Sequence, residues 1–210
     1  MATILSRTAE QRTVLRGVSW QTYESLLAET DRAGTRLTYD RGLLEIMAPS
    51  REHERVGYLL GRLIEALTEE LGIAISGGGS TTLREELLER GVEADECYYI
   101  ANESRMRGKD DFNPAIDPPP DLAIEIDITI SSIDQLGIYA ALGVPEVWIC
   151  DGEKIRMYEL HEGTHLPASR SPAFPFLPIE GLERFLAQRH SIDETTLVRT
   201  FREWVRTLPR

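Results

Sequence analysis

Pro118–Thr129 (PPPDLAIEIDIT) constrains the fold more than any other stretch. Three consecutive prolines lack amide donors and fix φ, so they end whatever element comes before. From Asp121 to Asp127 the apolar residues Leu122, Ile124 and Ile126 alternate with Asp121, Ala123, Glu125 and Asp127, which is the period of a β-strand. Three carboxylates on one strand face are costly to bury dry, because each unpaired charge must find a partner or a proton. Such a face calls for a cation. The same spacing equally fits a solvent-exposed strand whose polar face is merely acidic.

The hydrophobic share of 41% over 210 residues is enough for one domain with a real core. No apolar run approaches the ~20 residues that a membrane span needs. The amino terminus (MATILSRTAEQRTVL) lacks the basic, apolar, small-residue order of a signal peptide. A soluble cytoplasmic protein with no membrane partner is expected. Cys97 and Cys150 are too few for a disulfide framework and carry no metal-ligand spacing, so they read as reduced core residues.

A net charge of -12 argues at first against a nucleic-acid partner, because phosphate binding rests on Lys and Arg. Its distribution changes that reading: Glu85 to Asp127 holds 13 acidic and 4 basic residues, while the flanks are nearly balanced. A local acidic excess suits a divalent-cation site, and it suits a solvated acidic loop as well.

Along the chain, residues 1–18 offer a short edge strand, and Trp20 to Thr30 a short helix. Arg36–Asp40 and Leu43–Met47 form a hairpin turning at Arg41-Gly42, expected at the periphery. Val56, Leu59, Leu60, Leu63, Ile64, Leu67 and Leu71 recur at helical spacing, with Ser50 as N-cap and Gly72 as stop. A strand starts at Ile73–Ser76 and meets Gly77-Gly78-Gly79, a bend that no Lys-Ser/Thr follows and that is therefore no phosphate loop. Glu93–Ile100 is a second strand, with Asp95, Cys97 and Tyr99 on one face. After the acidic strand, Ser131–Leu142 is a helix capped by Ser131 or Ser132, and Pro145–Cys150 a buried strand followed by a hairpin strand at Lys154–Leu160. A Pro-rich connector, His165–Pro178, leads to two helices. The second carries a capping box, Ser191 with Glu194, and an apolar stripe at Leu197, Val198, Phe201, Trp204, Val205 and Leu208, expected to pack on the domain or on a second subunit.

Strand geometry decides which carboxylates can meet. Asp121 and Glu125 sit ~13 Å apart along one strand, too far to share an ion, whereas neighbouring strands lie only ~4.8 Å apart. Asp95 and Glu125 could therefore clamp a divalent ion from adjacent strands, and oxygen-only ligands favour Mg²⁺ or Mn²⁺. The four histidines, His53, His161, His165 and His190, lack the spacing of a zinc motif and read as surface or capping residues. No Gly-x-Ser-x-Gly elbow is present. Tyr139, Trp148 and Tyr158 read as core rather than as a base-stacking platform.

Taken together, GVEADECYYI (Gly91–Ile100), PPPDLAIEIDIT and IYAALGVPEVW (Ile138–Trp148) resemble the Uma-two family of restriction endonucleases, within the PD-(D/E)XK nuclease superfamily. The resemblance spans roughly Arg36 to Leu160 and extends to the last helix. It implies an α/β restriction-endonuclease-like core of helix, three antiparallel strands, helix and strand, matching the order read above. The peripheral pieces would be an N-terminal helix and hairpin (1–48) and a C-terminal helical extension (161–210) on a single 1–210 domain. By the resemblance Asp95 and Glu125 are metal ligands, Asp121 belongs to a Pro-Asp pair, and His53-Glu54 at the helix start matches as well. The family's Pro before the first acid is Ala94 here, and Asp127 stands where the superfamily has its catalytic lysine. Gln135 occupies the position on the following helix to which a Lys or Arg often moves. The chain's two lysines are Lys109, in the loop before the acidic strand, and Lys154, in the distal hairpin.

Two functions follow as expectations. One is a Mg²⁺- or Mn²⁺-dependent endonuclease acting on DNA, with Asp95 and Glu125 on the metal, Asp121 and Asp127 in support, and Gln135 in the lysine's place. The other is a catalytically silenced nuclease fold serving as a binding or regulatory homodimer joined through the C-terminal helix.

Overall fold

The longest apolar stripe in the sequence becomes the central helix of the structure, a computed structural model that describes residues 10–30 and 34–209. This helix, Arg51–Leu71, begins at Ser50, whose hydroxyl accepts the amide of His53 at 3.1 Å, and ends at Gly72 in the left-handed region with φ 65°. Val56, Leu59, Leu60, Leu63, Ile64 and Leu67 are all buried on its inner face. Each such aliphatic side chain stabilises the fold by about 1.5–3 kcal/mol relative to exposure.

In chain order the elements are β1 (Gln11–Arg16), α1 (Trp20–Thr30), β2 (Arg36–Asp40), β3 (Leu43–Ala48), α2 (Arg51–Leu71), β4 (Ser76–Gly77), β5 (Thr82–Glu85), β6 (Arg90–Glu93), β7 (Glu96–Tyr99), α3 (Glu103–Met106), β8 (Leu122–Ile126), α4 (Gln135–Ala141), β9 (Glu146–Cys150), β10 (Ile155–His161), β11 (Thr164–Ala168), α5 (Ile179–Ala187) and α6 (Glu194–Val205). They build two sheets, ordered β1-β3-β2-β6-β5 and β11-β10-β9-β8-β7-β4. In the second sheet β7 lies between β4 and β8 and is antiparallel to both, and β9 runs parallel to β8. The parallel pair needs a crossover, and α4 lies within it. Helix, three antiparallel strands, helix, strand is thus present as expected, in a mixed α/β architecture of the restriction-endonuclease-like type.

Several local expectations are corrected. The Arg36–Met47 hairpin lies outside the β4-β7-β8-β9 core as expected but is no free-standing hairpin: β2 and β3 are interior strands of the first sheet, with β1 as the edge and β6 paired to β2. The single strand read at Glu93–Ile100 is two, because the chain leaves the first sheet after Glu93 and enters the second at Glu96. Ala94 and Asp95 make that crossing. The helix expected from Ser131 starts at Gln135 with Asp134 as its cap, since Ser131 and the amide of Ser132 bind Glu45 instead. The connector contains β11, formed by a tight turn at Glu162-Gly163, both with positive φ. Asp193 rather than Ser191 caps α6.

α6 packs on the domain itself, its Leu197, Phe201 and Val205 sharing one core with α2, α5 and the inner face of the second sheet. Cys97 and Cys150 are buried free thiols. Gly78 lies so close to Cys97 that an added Cβ would fall 2.6 Å from its sulfur, which explains the glycine at this bend. Among the described residues no helix is long and apolar enough to cross a membrane. Of the amino-terminal stretch read for a leader, residues 1–9 lie outside the described residues.

Candidate active site

All five residues of β8 are buried, so the acidic strand is not a solvent-facing one. Leu122, Ile124 and Ile126 enter the core under α2, while Ala123 enters a second cluster with Ile138 and Tyr139 of α4. Glu125 shares the Ala123 face and is 4% exposed. Its carboxylate accepts hydrogen bonds from the Tyr139 hydroxyl and, at 3.2 Å, from Gln135 Nε2.

Asp95 stands opposite. Glu96 pairs with Ile124 in the β7-β8 register, and one residue earlier the amide of Asp95 donates to the Ile124 carbonyl at 3.2 Å. Asp95 Oδ2 in turn accepts the amide of Ile126 at 2.8 Å. Backbone and side chain of Asp95 therefore bind the residues on either side of Glu125, and the two buried acids face each other across the strands. Burial and then the Asp95 charge push the Glu125 carboxyl well above the usual carboxylate range, against the Tyr139 hydrogen bond.

The other acids of the site have cationic partners. His53, on the first turn of α2 and 2% exposed, reaches Asp95 Oδ1 with Nε2 at 2.9 Å and Glu10 Oε1 with Nδ1 at 2.7 Å. Burial alone would lower its pKa, but the hydrogen bonds to Asp95 and Glu10 prevail and raise it to about 10. Arg12 of β1 donates to Glu45 at 2.6 Å and to Glu10 and Asp127, each at 3.0 Å, with Nε on Thr129 Oγ1 at 3.2 Å. Burial raises the Asp127 carboxyl above its usual value although Arg12 opposes it. Arg36 Nε lies 3.5 Å from Asp95 Oδ1. Among the described residues, Glu125 has no cation among its hydrogen-bonded partners.

Of the residues singled out in the sequence, Asp95, Glu125 and Gln135 come together, and Asp127 lies beside them on Arg12. Asp121 does not join them. Its carboxylate accepts the amides of Ile100 and Asn102 at 2.7 and 2.9 Å and the Asn102 side chain at 2.8 Å, which fixes the turn leading to α3. Neither lysine takes part: Lys109 pairs with Asp117, and Lys154 with Glu183 at 2.8 Å. Sequence reasoning assigned His53 an ordinary capping role, Tyr139 to the core, and no role to Glu10, Arg12 or Arg36. A signal existed only for His53, three residues after its cap and next to Glu54. Apart from the local Arg12–Glu10 pair, the contacts of Glu10, Arg12 and Arg36 join residues far apart in sequence and leave no local pattern.

Among the described residues no three His, Cys, Asp or Glu side chains form a ready-made metal cage. Mg²⁺ does not require one, being held commonly by one or two carboxylates with water and substrate phosphate completing the shell. Asp95 and Glu125 offer that pair, and Glu125, held only by neutral donors, is the carboxylate whose charge calls for a cation. The residues therefore fit a hard divalent ion. A search of curated proteins found no match. A family model described as "Putative restriction endonuclease", Uma2, matches residues 20–187, a span containing both opposed acids, His53, Gln135 and Tyr139, and the chain belongs to this family.

Proposed function

We propose that the chain is a divalent-metal-dependent endonuclease hydrolysing DNA phosphodiester bonds, with Asp95 and Glu125 as ligands for Mg²⁺ or Mn²⁺. The observation that carries this reading is the buried Asp95-Glu125 pair, in which Glu125 is raised toward protonation by burial and by Asp95 while lacking a cationic partner. Asp95 and Glu125 would hold the ion, which when bound would supply Lewis-acid polarisation of a phosphoryl oxygen. His53 and the Ile126 amide hold Asp95 in one orientation. Tyr139 and Gln135 do the same for Glu125, each donating to one of its oxygens. Asp127 and Asp121 support the site at one remove, Asp127 through Arg12 and Asp121 through the turn after β7.

Calorimetric titration with Mg²⁺ and Mn²⁺ of the wild type, Asp95→Asn and Glu125→Gln, run beside plasmid cleavage, tests this. Binding and cleavage by the wild type, both lost in either variant, are the expected result. A wild type that binds neither ion overturns the proposal.

The neutral Gln135 on Glu125, with both lysines paired elsewhere, favours a second reading, a silenced nuclease fold that binds or regulates as a homodimer. Metal binding without cleavage would support it. Because the apolar face of α6 is used within the chain, such a dimer would form through another surface.

A further inference from the structure

We propose that Arg36 supplies positive charge to the substrate, contacting the phosphate that lies against Asp95 and Glu125. The inference rests on the phosphodiesterase reading above and names the residue that answers for the missing lysine. Neutral Gln135 can orient a group by hydrogen bonding, but it cannot compensate charge developing on a phosphoryl oxygen. A cation must come from elsewhere in the fold.

Most candidates are already committed. Arg12 directs Nε, Nη1 and Nη2 to Thr129, Glu45, Glu10 and Asp127. His53 has both ring nitrogens on carboxylates. Lys109 and Lys154 pair with Asp117 and Glu183 away from the site. Arg36 differs from all of these. Its Nε is buried and makes no hydrogen bond, although it lies 3.5 Å from Asp95 Oδ1, and its side chain is 20% exposed. A buried donor without a partner is rare in folded proteins and points to an absent ligand or to function.

The fold puts Arg36 there deliberately. The amide of Leu37 donates to Glu93 Oε2 at 2.6 Å, tying the start of β2 to the end of β6. Two residues beyond Glu93 the chain reaches Asp95, so the crossing between the sheets sets Arg36 beside the first acid. A guanidinium is always charged and presents its donors as a planar fork that fits two phosphate oxygens. With Nε 3.5 Å from Asp95, the guanidinium stands where a phosphate bound against the acids would meet it.

The alternative is an ion pair that merely holds Asp95, and the test separates the two. Full-length wild type, Arg36→Ala and Arg36→Lys are compared for melting temperature, Mg²⁺ affinity by calorimetry, plasmid cleavage in Mg²⁺, and binding of a short DNA duplex in Ca²⁺ as salt is varied. For Arg36→Ala the expected result is an unchanged melting temperature, Mg²⁺ affinity that is equal or tighter, and cleavage reduced by about 10²–10³-fold. The slope of log affinity against log salt should also fall by about 0.9, the loss of one phosphate contact. Arg36→Lys should recover part of both. Weaker Mg²⁺ binding with an unchanged salt slope would overturn the proposal in favour of the ion pair, and so would full cleavage by Arg36→Ala. If the wild type itself does not cleave, the endonuclease reading fails separately. The salt slope then decides Arg36 alone: a drop retains it as a phosphate ligand, and no drop removes it.

Discussion

His53 joins the backbone of α2 to the chemistry of the site. Its amide caps on Ser50 and its ring bridges Glu10 and Asp95. The bridge has a defined pH window. Burial would raise the Glu10 pKa, yet hydrogen bonds from His53, Thr129 and Arg12 lower it from 4.5 to about 2. A depressed acid contributes stability that is present above its unfolded value and lost as pH falls through its folded one. His53, raised from 6.5 to about 10, behaves oppositely: its contribution is complete below 6.5 and disappears as pH rises through about 10. Both are whole only between about 4.5 and 6.5. Replacing His53 with Gln keeps a polar side chain but removes the charge. Urea denaturation across pH should show wild type ahead of His53→Gln by a constant margin between about 4.5 and 6.5 that shrinks toward 10. A margin independent of pH over that range would mean that His53 acts here as a neutral ring.

At the scale of elements, what could be read in the sequence was what depends on one segment's own period. The stripe from Val56 to Leu71 fixes α2, its caps and its buried face. The alternation from Leu122 to Ile126 assigns each residue of β8 to its face. Period says nothing of neighbours, however. β2 and β3 read as a plain hairpin, while their place inside a sheet depends on β6, which arrives some fifty residues later. The break in the strand at Ala94-Asp95 follows from two sheets claiming its two halves. Glu10 and Arg12 meet Glu45, His53, Asp127 and Thr129 only across long intervals of sequence, so that part of the site was illegible. α6 was legible as amphipathic but ambiguous in partner. The structure resolves this with Phe201, fully buried and edge-on to Phe185 at 5.1 Å between ring centroids. Phe201→Ala should cost about 3–5 kcal/mol, the usual range for a buried phenylalanine, read as a lower urea midpoint with Mg²⁺ affinity retained at temperatures where the variant is folded. A cost below 1 kcal/mol, the level of an exposed site, would show that α6 does not seal this core.

For the whole molecule the question is how a chain of net charge -12 would approach DNA. The acidic excess between Glu85 and Asp127 is not one patch. Glu103 pairs with Arg107 and Asp117 with Lys109 in the loop after β7, and Asp121 is spent on backbone amides. Only Asp95, Glu125 and Asp127 of that stretch reach the site. A strongly negative body repels duplex phosphate, so on the proposed reading attraction is local, from Arg36 and from a bound divalent ion. Metal and DNA should therefore bind with positive coupling, each raising the affinity of the other by the same factor. Duplex binding measured in Ca²⁺ and in chelator at matched ionic strength should differ by about tenfold or more, at least ~1.4 kcal/mol of coupling. Glu125→Gln should abolish the difference while leaving the weak chelator-state affinity as it was. Equal affinities in Ca²⁺ and chelator for the wild type would place the DNA contact away from the Asp95-Glu125 pair. The measurement thereby links the charge of the whole molecule to a buried carboxylate of the site whose hydrogen-bond donors, Tyr139 and Gln135, are neutral.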